Sequence, residues 1–263
     1  MFLDLSYGGS SFCELLAGRL PSLLSRWDNL RLSPEDMPPL PKGTTVLALK
    51  YREGVVIAGD RQATEGTQIA TRRIEKVFKA DQHSAVAIAG VAGPCLELAR
   101  LFQTELEHYE KLEGVELSTE GKANKLAQMV KMNFPMALQG LVVIPIFVGY
   151  DLKRDEGKIY KYDVTGGRFE EADYHATGSG GGHARATMKK VYRADADEAG
   201  AIQTAIDSLF DAADEDIGTA GPDFVRGIFP TVKTVTSRGI VDVEDERVRA
   251  VCQSIVEGRS RSH

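Results

Sequence analysis

Cysteine is scarce in this chain, and long apolar runs and an excess of positive charge are missing. Cys13, Cys95 and Cys252 stand far apart in 263 residues. An odd, scattered set of thiols excludes a disulfide framework and points to a reducing compartment. The five histidines form no His-x-x-x-His pair, and no Cys-x-x-Cys occurs. No dedicated metal site and no cofactor are therefore expected. No run of about 18 uninterrupted apolar residues is present, so no membrane-spanning helix is expected. The first residues lack an early Lys or Arg and carry Asp4, and Arg19 interrupts the apolar stretch Leu15-Leu16-Ala17-Gly18-Arg19-Leu20. That pattern is not a secretory signal. A formal net charge of -6 leaves no basic face to track phosphates, which excludes a nucleic-acid partner. These absences together describe a cytoplasmic protein without a membrane or nucleic-acid role.

What is present is 43% hydrophobic residues, enough for a sizeable core in one large domain or two small ones. Composition shifts near residue 43. Residues 1–43 hold Gly8-Gly9-Ser10-Ser11, two short Leu-Leu pieces, and Pro34, Pro38, Pro39 and Pro41. The proline cluster is stiff and extended and cannot enter a sheet centre or a helix interior. Two readings fit: a weakly structured leader ending in an accessible linker, or a disordered tail.

From Thr44 onwards strand patterning takes over. Residues 45–50 and 55–60 flank a Gly-containing turn and predict a hairpin, and 74–79 with 85–90 predict a second strand pair. Apolar residues at spacings of three and four predict helices over 94–112 and 118–138, the second opened by a Ser/Thr cap and kinked or ended by Pro135. Residues 141–150 are nearly all apolar, as in a strand buried on both faces. Strands over 158–163, 168–171 and 174–177 follow, then helices over 184–192 and 199–213, a long strand over 227–237 and a closing helix over 245–257. The alternation of strand blocks with helix pairs predicts an α+β fold, a four-layer αββα sandwich of two antiparallel sheets with helices outside.

Chemistry concentrates around Gly43-Thr44-Thr45. A cut between Gly43 and Thr44 would give one residue both a hydroxyl nucleophile and a free α-amine. That amine, with an ordinary pKa of about 7.7–8.0, is a built-in general base. Asp60 ends the strand that pairs with the Thr44 strand. Lys76 points opposite to Val77 and, on a neighbouring strand, can lie beneath Thr44 and pair with Asp60. Such a cation would stabilise the alkoxide and depress the amine pKa. Gly90, between a strand and a helix, can turn its N–H toward an oxyanion because no Cβ blocks approach. Thr177-Gly178-Ser179-Gly180-Gly181-Gly182 lacks the Lys and the spacing of nucleotide loops, so it reads as a turn presenting the Ser179 hydroxyl. Asp216 is the one acid of the 211–216 cluster placed to enter a site loop.

In this order the chain resembles the β subunits of bacterial proteasomes of the actinobacterial type, threonine-class N-terminal nucleophile hydrolases. The resemblance runs from Gly43 to about Glu257. It is carried by Gly43-Thr44-Thr45, Ala58-Gly59-Asp60-Arg61, Ile88-Ala89-Gly90, the stretch from Glu105 to Gly114, Thr177-Gly178-Ser179-Gly180, Asp211-Ala212-Ala213-Asp214 and Gly221-Pro222-Asp223. It implies a propeptide over 1–43 removed by autocleavage between Gly43 and Thr44, and a catalytic domain over 44–263. Thr44 would be the nucleophile, Asp60 and Lys76 its charge pair, and Gly90 the oxyanion donor. Ser179, Asp216 and Thr219 would support the amine. Thr64 and Ala92 would pair with an extended substrate backbone. Ala63, Ile74, Phe78, Ile88 and Ala92 would line an apolar pocket favouring large hydrophobic side chains before the cut. The resemblance also implies heptameric β rings stacked on α-subunit rings, an ATP-dependent unfoldase, and unfolded polypeptides as substrates.

The chain departs from the family pattern at Gly181 (commonly Ser), at Ile217 and Gly218 (commonly Ser and Ala) and at Gln62 (commonly Arg). A catalytically weak structural ring subunit is therefore a second reading. A third, the smaller ATP-dependent bacterial Thr protease, is opposed by the long helix pair over 94–138 and the extended C-terminal segment.

Overall fold

Burial with a period of two builds the centre of the molecule. The structure, a computed structural model, describes residues 11–19, 43–65 and 68–260. Strand β1 (Thr45–Tyr51) is almost wholly buried on both faces. Val46 and Ala48 point to one core and Leu47 and Leu49 to another, as alternation along a strand requires. Burying each leucine contributes about 1.5–3 kcal/mol, so β1 is fixed from two sides. β2 (Gly54–Gly59) returns beside it, pairing Val46 with Gly59 and Tyr51 with Gly54.

The first sheet has the order β10-β1-β2-β11-β12, with β10 (Tyr174–Gly178), β11 (Thr231–Thr236) and β12 (Gly239–Asp242). The second runs β5-β6-β7-β8-β9: β5 (Val77–Asp81), β6 (Ser84–Gly90), β7 (Val143–Asp151), β8 (Glu156–Tyr162) and β9 (Arg168–Glu171). All pairings within both are antiparallel. Val46, Ile57, Val77, Ala87, Ile146 and Val148 belong to the core between the sheets. On the outer face of the second sheet, α2 (Ala92–Glu113) and α3 (Thr119–Met132) bury Phe102 and Leu126 against Phe147 and Tyr160. On the outer face of the first, α5 (Gly181–Val191), α6 (Glu198–Glu215) and α7 (Asp245–Ser260) bury Met188, Ile206 and Cys252 against Leu47 and Val56. The expected αββα sandwich is the observed fold.

Local chemistry sets the helix ends. Ser118 Oγ accepts the Gly121 N–H at 3.0 Å to open α3, and Asp197 Oδ1 accepts from Gly200 at 2.9 Å to open α6. Pro135 divides the expected helix over 118–138, leaving a one-turn helix, α4 (Phe134–Ala137), after α3.

Four expectations need correction. The leader is not wholly unstructured, because Phe12–Arg19 form a helix, α1, packed against α2. Its proline-rich part lies outside the described residues. The strand placed over 74–79 begins only at Val77, so Lys76 precedes the regular ladder, although its carbonyl still accepts the Ile88 N–H at 3.0 Å. The strand placed over 227–237 shortens to Thr231–Thr236, because Asp223 caps a turn by accepting the Arg226 N–H at 2.9 Å. A small separate hairpin, β3 (Ala63–Glu65) with β4 (Gln68–Thr71), occupies a stretch assigned no strand from sequence. Cys95 and Cys252 are free and buried, and no helix among the described residues is long and apolar enough to cross a membrane.

Candidate active site

Thr44 stands one residue before β1, where the two sheets face each other, and is 5% exposed. The peptide bond before it is intact. Its hydroxyl donates to the Gly43 carbonyl oxygen at 2.5 Å, and Lys76 Nζ lies 3.4 Å from the same oxygen. The Thr44 hydroxyl and the Lys76 ammonium thus both reach the Gly43 carbonyl oxygen.

Asp60, just past the end of β2, holds the cation. Its Oδ1 accepts from Lys76 Nζ at 2.6 Å and from the Thr45 N–H at 2.8 Å; its Oδ2 accepts from the N–H groups of Gln62 at 2.9 Å and Ala220 at 3.2 Å. Both residues are almost completely buried, Asp60 at 1% and Lys76 at 4% exposed. Burial pushes the Lys76 pKa below its ordinary value, and the Asp60 charge opposes that shift without cancelling it. A buried ammonium of lowered pKa is an acid able to give up a proton near its neighbours.

A relay of hydroxyls closes the other side. The Thr44 N–H donates to Ser179 Oγ at 3.3 Å, and Ser179 Oγ donates to Asp216 Oδ2 at 2.5 Å. Thr219 Oγ1 donates to the same Asp216 oxygen at 2.5 Å. The Thr45 and Thr219 hydroxyls are 2.5 Å apart, and the Gly180 N–H donates to Thr45 Oγ1 at 3.1 Å. With the Thr219 proton committed to the carboxylate, Thr45 must be the donor of its pair. Asp216 is the C-cap of α6, and the Gly218 N–H donates to its Oδ1 at 3.2 Å. The helix end fixes the acid and the acid fixes the Ser179 hydroxyl.

The pocket beside Thr44 is lined by Ala63, Ile74, Phe78, Ile88 and Ala92, the apolar set expected from sequence, together with Lys76 and Gly90. Gly90 has φ 139°, and a Cβ there would meet the Val142 carbonyl oxygen at 2.0 Å, so only glycine fits. Thr64 takes a different place: its Oγ1 accepts the Gly43 N–H at 3.1 Å and so holds Gly43. Gly43 is enclosed. A Cβ on it would lie 2.5 Å from the Gly218 carbonyl oxygen and 2.7 Å from Thr64 Oγ1.

Residues of this surround given no site role from sequence are Glu75, which also lines the pocket, and Cys95, Leu96, Thr45 and Gln62. Cys95 and Leu96, at the start of α2, also line the pocket, and burial pushes the Cys95 thiol up to about 12. Thr45 belongs to the hydroxyl relay, for which the Thr-Thr doublet was the available signal. Gln62, a departure from the family pattern, donates Nε2–H to the Ile217 carbonyl at 3.1 Å and ties the 216–220 loop to the end of β2. Ile217 is itself 87% exposed. No group of His, Cys, Asp and Glu able to hold a metal ion occurs among the described residues.

Comparison with known proteins follows the same line. A family model described as Proteasome subunit matches residues 40–224. The proteasome subunit beta of Acidothermus cellulolyticus is 51% identical over 257 residues, covering 96% of this chain and 88% of that one. That of Acidimicrobium ferrooxidans is 56% identical over 212 residues, covering 81% and 78%. That of Rhodococcus opacus is 50% identical over 273 aligned residues, covering 97% and 92%. With the αββα sandwich and Gly43-Thr44 beside the apolar pocket, this similarity settles the family: the chain belongs to the proteasome subunits, as a β subunit of the bacterial type.

Proposed function

We propose that the chain is a threonine endopeptidase subunit that processes itself between Gly43 and Thr44 and then cuts unfolded polypeptides after hydrophobic residues. As a proteasome β subunit it is part of the core particle, a ring assembly with α subunits. The finer reading is carried by one observation, the 2.5 Å contact between the Thr44 hydroxyl and the Gly43 carbonyl beside Lys76.

Thr44 Oγ attacks the Gly43 carbonyl carbon as its proton passes to a water, which returns it to the Thr44 amide nitrogen as that group leaves. The tetrahedral oxyanion is stabilised by Lys76 and by the Gly90 N–H. Collapse breaks the Gly43–Thr44 amide bond and leaves an ester on Thr44 Oγ with a free α-amine on Thr44. Water hydrolyses the ester, releasing the leader with a Gly43 carboxylate. The exposed amine, held by Ser179 and Asp216, then serves as base for attack on substrate peptide bonds. Ala63, Ile74, Phe78, Ile88 and Ala92 take the apolar side chain before the cut, and Thr64 and Ala92 align the substrate backbone as an added strand. Seven such subunits per ring, stacked on α rings and fed by an ATP-driven unfoldase in the cytoplasm, would confine the chemistry to threaded chains.

The test is the intact mass of the assembled protein together with hydrolysis of a hydrophobic peptide reporter. The expected chain starts at Thr44 and is active. A Met1 start in peptidase-competent particles would overturn the reading. An inactive but correctly assembled particle would favour the structural-subunit alternative, which the exposed Ile217 and the Gly181 and Gly218 departures motivate.

A further inference from the structure

We propose that the leader helix α1 is a tethered cover over the α2–α3 face, kept in place only while the Gly43–Thr44 bond is intact. The timing rests on the proposed self-cleavage; the contact itself does not. α1 packs against α2, and Leu16 within it is buried to 8% exposure. Ser11, immediately before it, does two things with one hydroxyl. Its Oγ accepts the Glu14 N–H at 3.3 Å, which starts the helix, and accepts from Lys125 Nζ of α3 at 2.9 Å, which docks it. Lys125 in turn pairs with Glu105 of α2, whose side chain is 2% exposed. Ser11, Glu105, Tyr109, Leu117 and Lys125 border a cavity of about 180 Å³ at this junction.

The dimensions of α1 argue for a cover that cannot hold on by itself. It has 8 residues, well short of the roughly 12–15 that an isolated helix needs in water. Its helical state and its docked state therefore depend on each other, joined at the Ser11 hydroxyl. Its anchorage includes a buried leucine and a charge-assisted hydrogen bond. A tether gives such a contact an effective concentration of about millimolar; a severed leader must bind at its own free concentration. Cutting at Thr44 therefore uncovers Lys125 and the α2–α3 face.

Lysine acylation read by peptide mass spectrometry tests this on two assembled forms, the full chain kept whole by Thr44→Ala and a chain beginning at Thr44. Lys125 should label about tenfold faster in the second form. Lys111, 72% exposed, should label equally in both. In the uncleaved chain, Leu16→Asp or Ser11→Ala should raise Lys125 labelling toward the faster rate. Equal rates in the two forms would overturn the proposal. So would slow labelling restored by about 10 µM of a separate peptide of residues 1–43, since the cover would then survive cleavage. A wild-type chain that never self-cleaves, with Lys125 responding as expected, would sink the processing mechanism and leave the cover standing.

Discussion

Two buried lysines divide the molecule into a chemical region and a structural one. Lys76 beside Thr44 and Lys122 at the start of α3 are each 4% exposed. Burial works against the charged form of both, yet the outcomes are opposite. Lys122 meets two carboxylates, Asp81 at 2.6 Å and Glu116 at 2.9 Å, and their attraction outweighs burial and raises its pKa. Lys76 has one carboxylate in contact, Asp60, and that carboxylate also serves three backbone N–H groups, so burial wins and the pKa falls. An under-compensated cation is suited to proton traffic; a doubly compensated one is a strut.

The sharpest way to break this contrast is to remove each charge. Lys76→Met should lower hydrolysis of a peptide reporter by at least about 10²–10³-fold, measured on chains already beginning at Thr44. Lys122→Met should leave hydrolysis unchanged and cost about 3 kcal/mol in denaturant unfolding. A Lys122 variant that folds normally but is inactive would erase the distinction. One step further from the bond, Ser179→Ala should cost about 10²-fold in kcat, because Asp216 keeps its Thr219 partner while the amine loses its own. Equal losses from Ser179→Ala and Thr44→Ala would move Ser179 from support to chemistry.

The smallest effect is in the pH dependence of stability. Lys76 has a folded pKa below its ordinary 10.5, so between those values the unfolded chain binds more protons and stability rises with pH. Lys122 has a folded pKa above 10.5, so its contribution is complete below that value and is lost as pH climbs through the folded pKa. Unfolding midpoints followed across pH 10.5 should lose their rise below it in Lys76→Met and their fall above it in Lys122→Met. Slopes that change in the same direction would refute the assignment of one of the two.

The contrast also marks what the sequence made legible. The hairpin joining Thr44 to Asp60 was readable because a turn and two apolar strands leave few alternatives. Lys76 lies near Gly43 and Asp60 as expected even though its strand begins only at Val77, three residues later than the sequence suggested, because side-chain alternation survives a frayed ladder. The contacts of Thr45 and Gln62 were not readable, although both residues stood out in the sequence: their partners Thr219 and Ile217 lie 174 and 155 residues away, and no local pattern encodes a contact at that range. β3 and β4 are too short for alternation to register, and α1 depends on a partner in α3 rather than on its own eight residues.

The cramped seat of Gly43 carries an evolutionary consequence. Every codon change that replaces this glycine delivers a Cβ, and any Cβ would be driven to 2.5 Å from the Gly218 carbonyl oxygen. Drift at this position has no gentle first step. Under the proposed mechanism, a lineage that lost Gly43 would have to rebuild the opposing loop before it could again free its threonine.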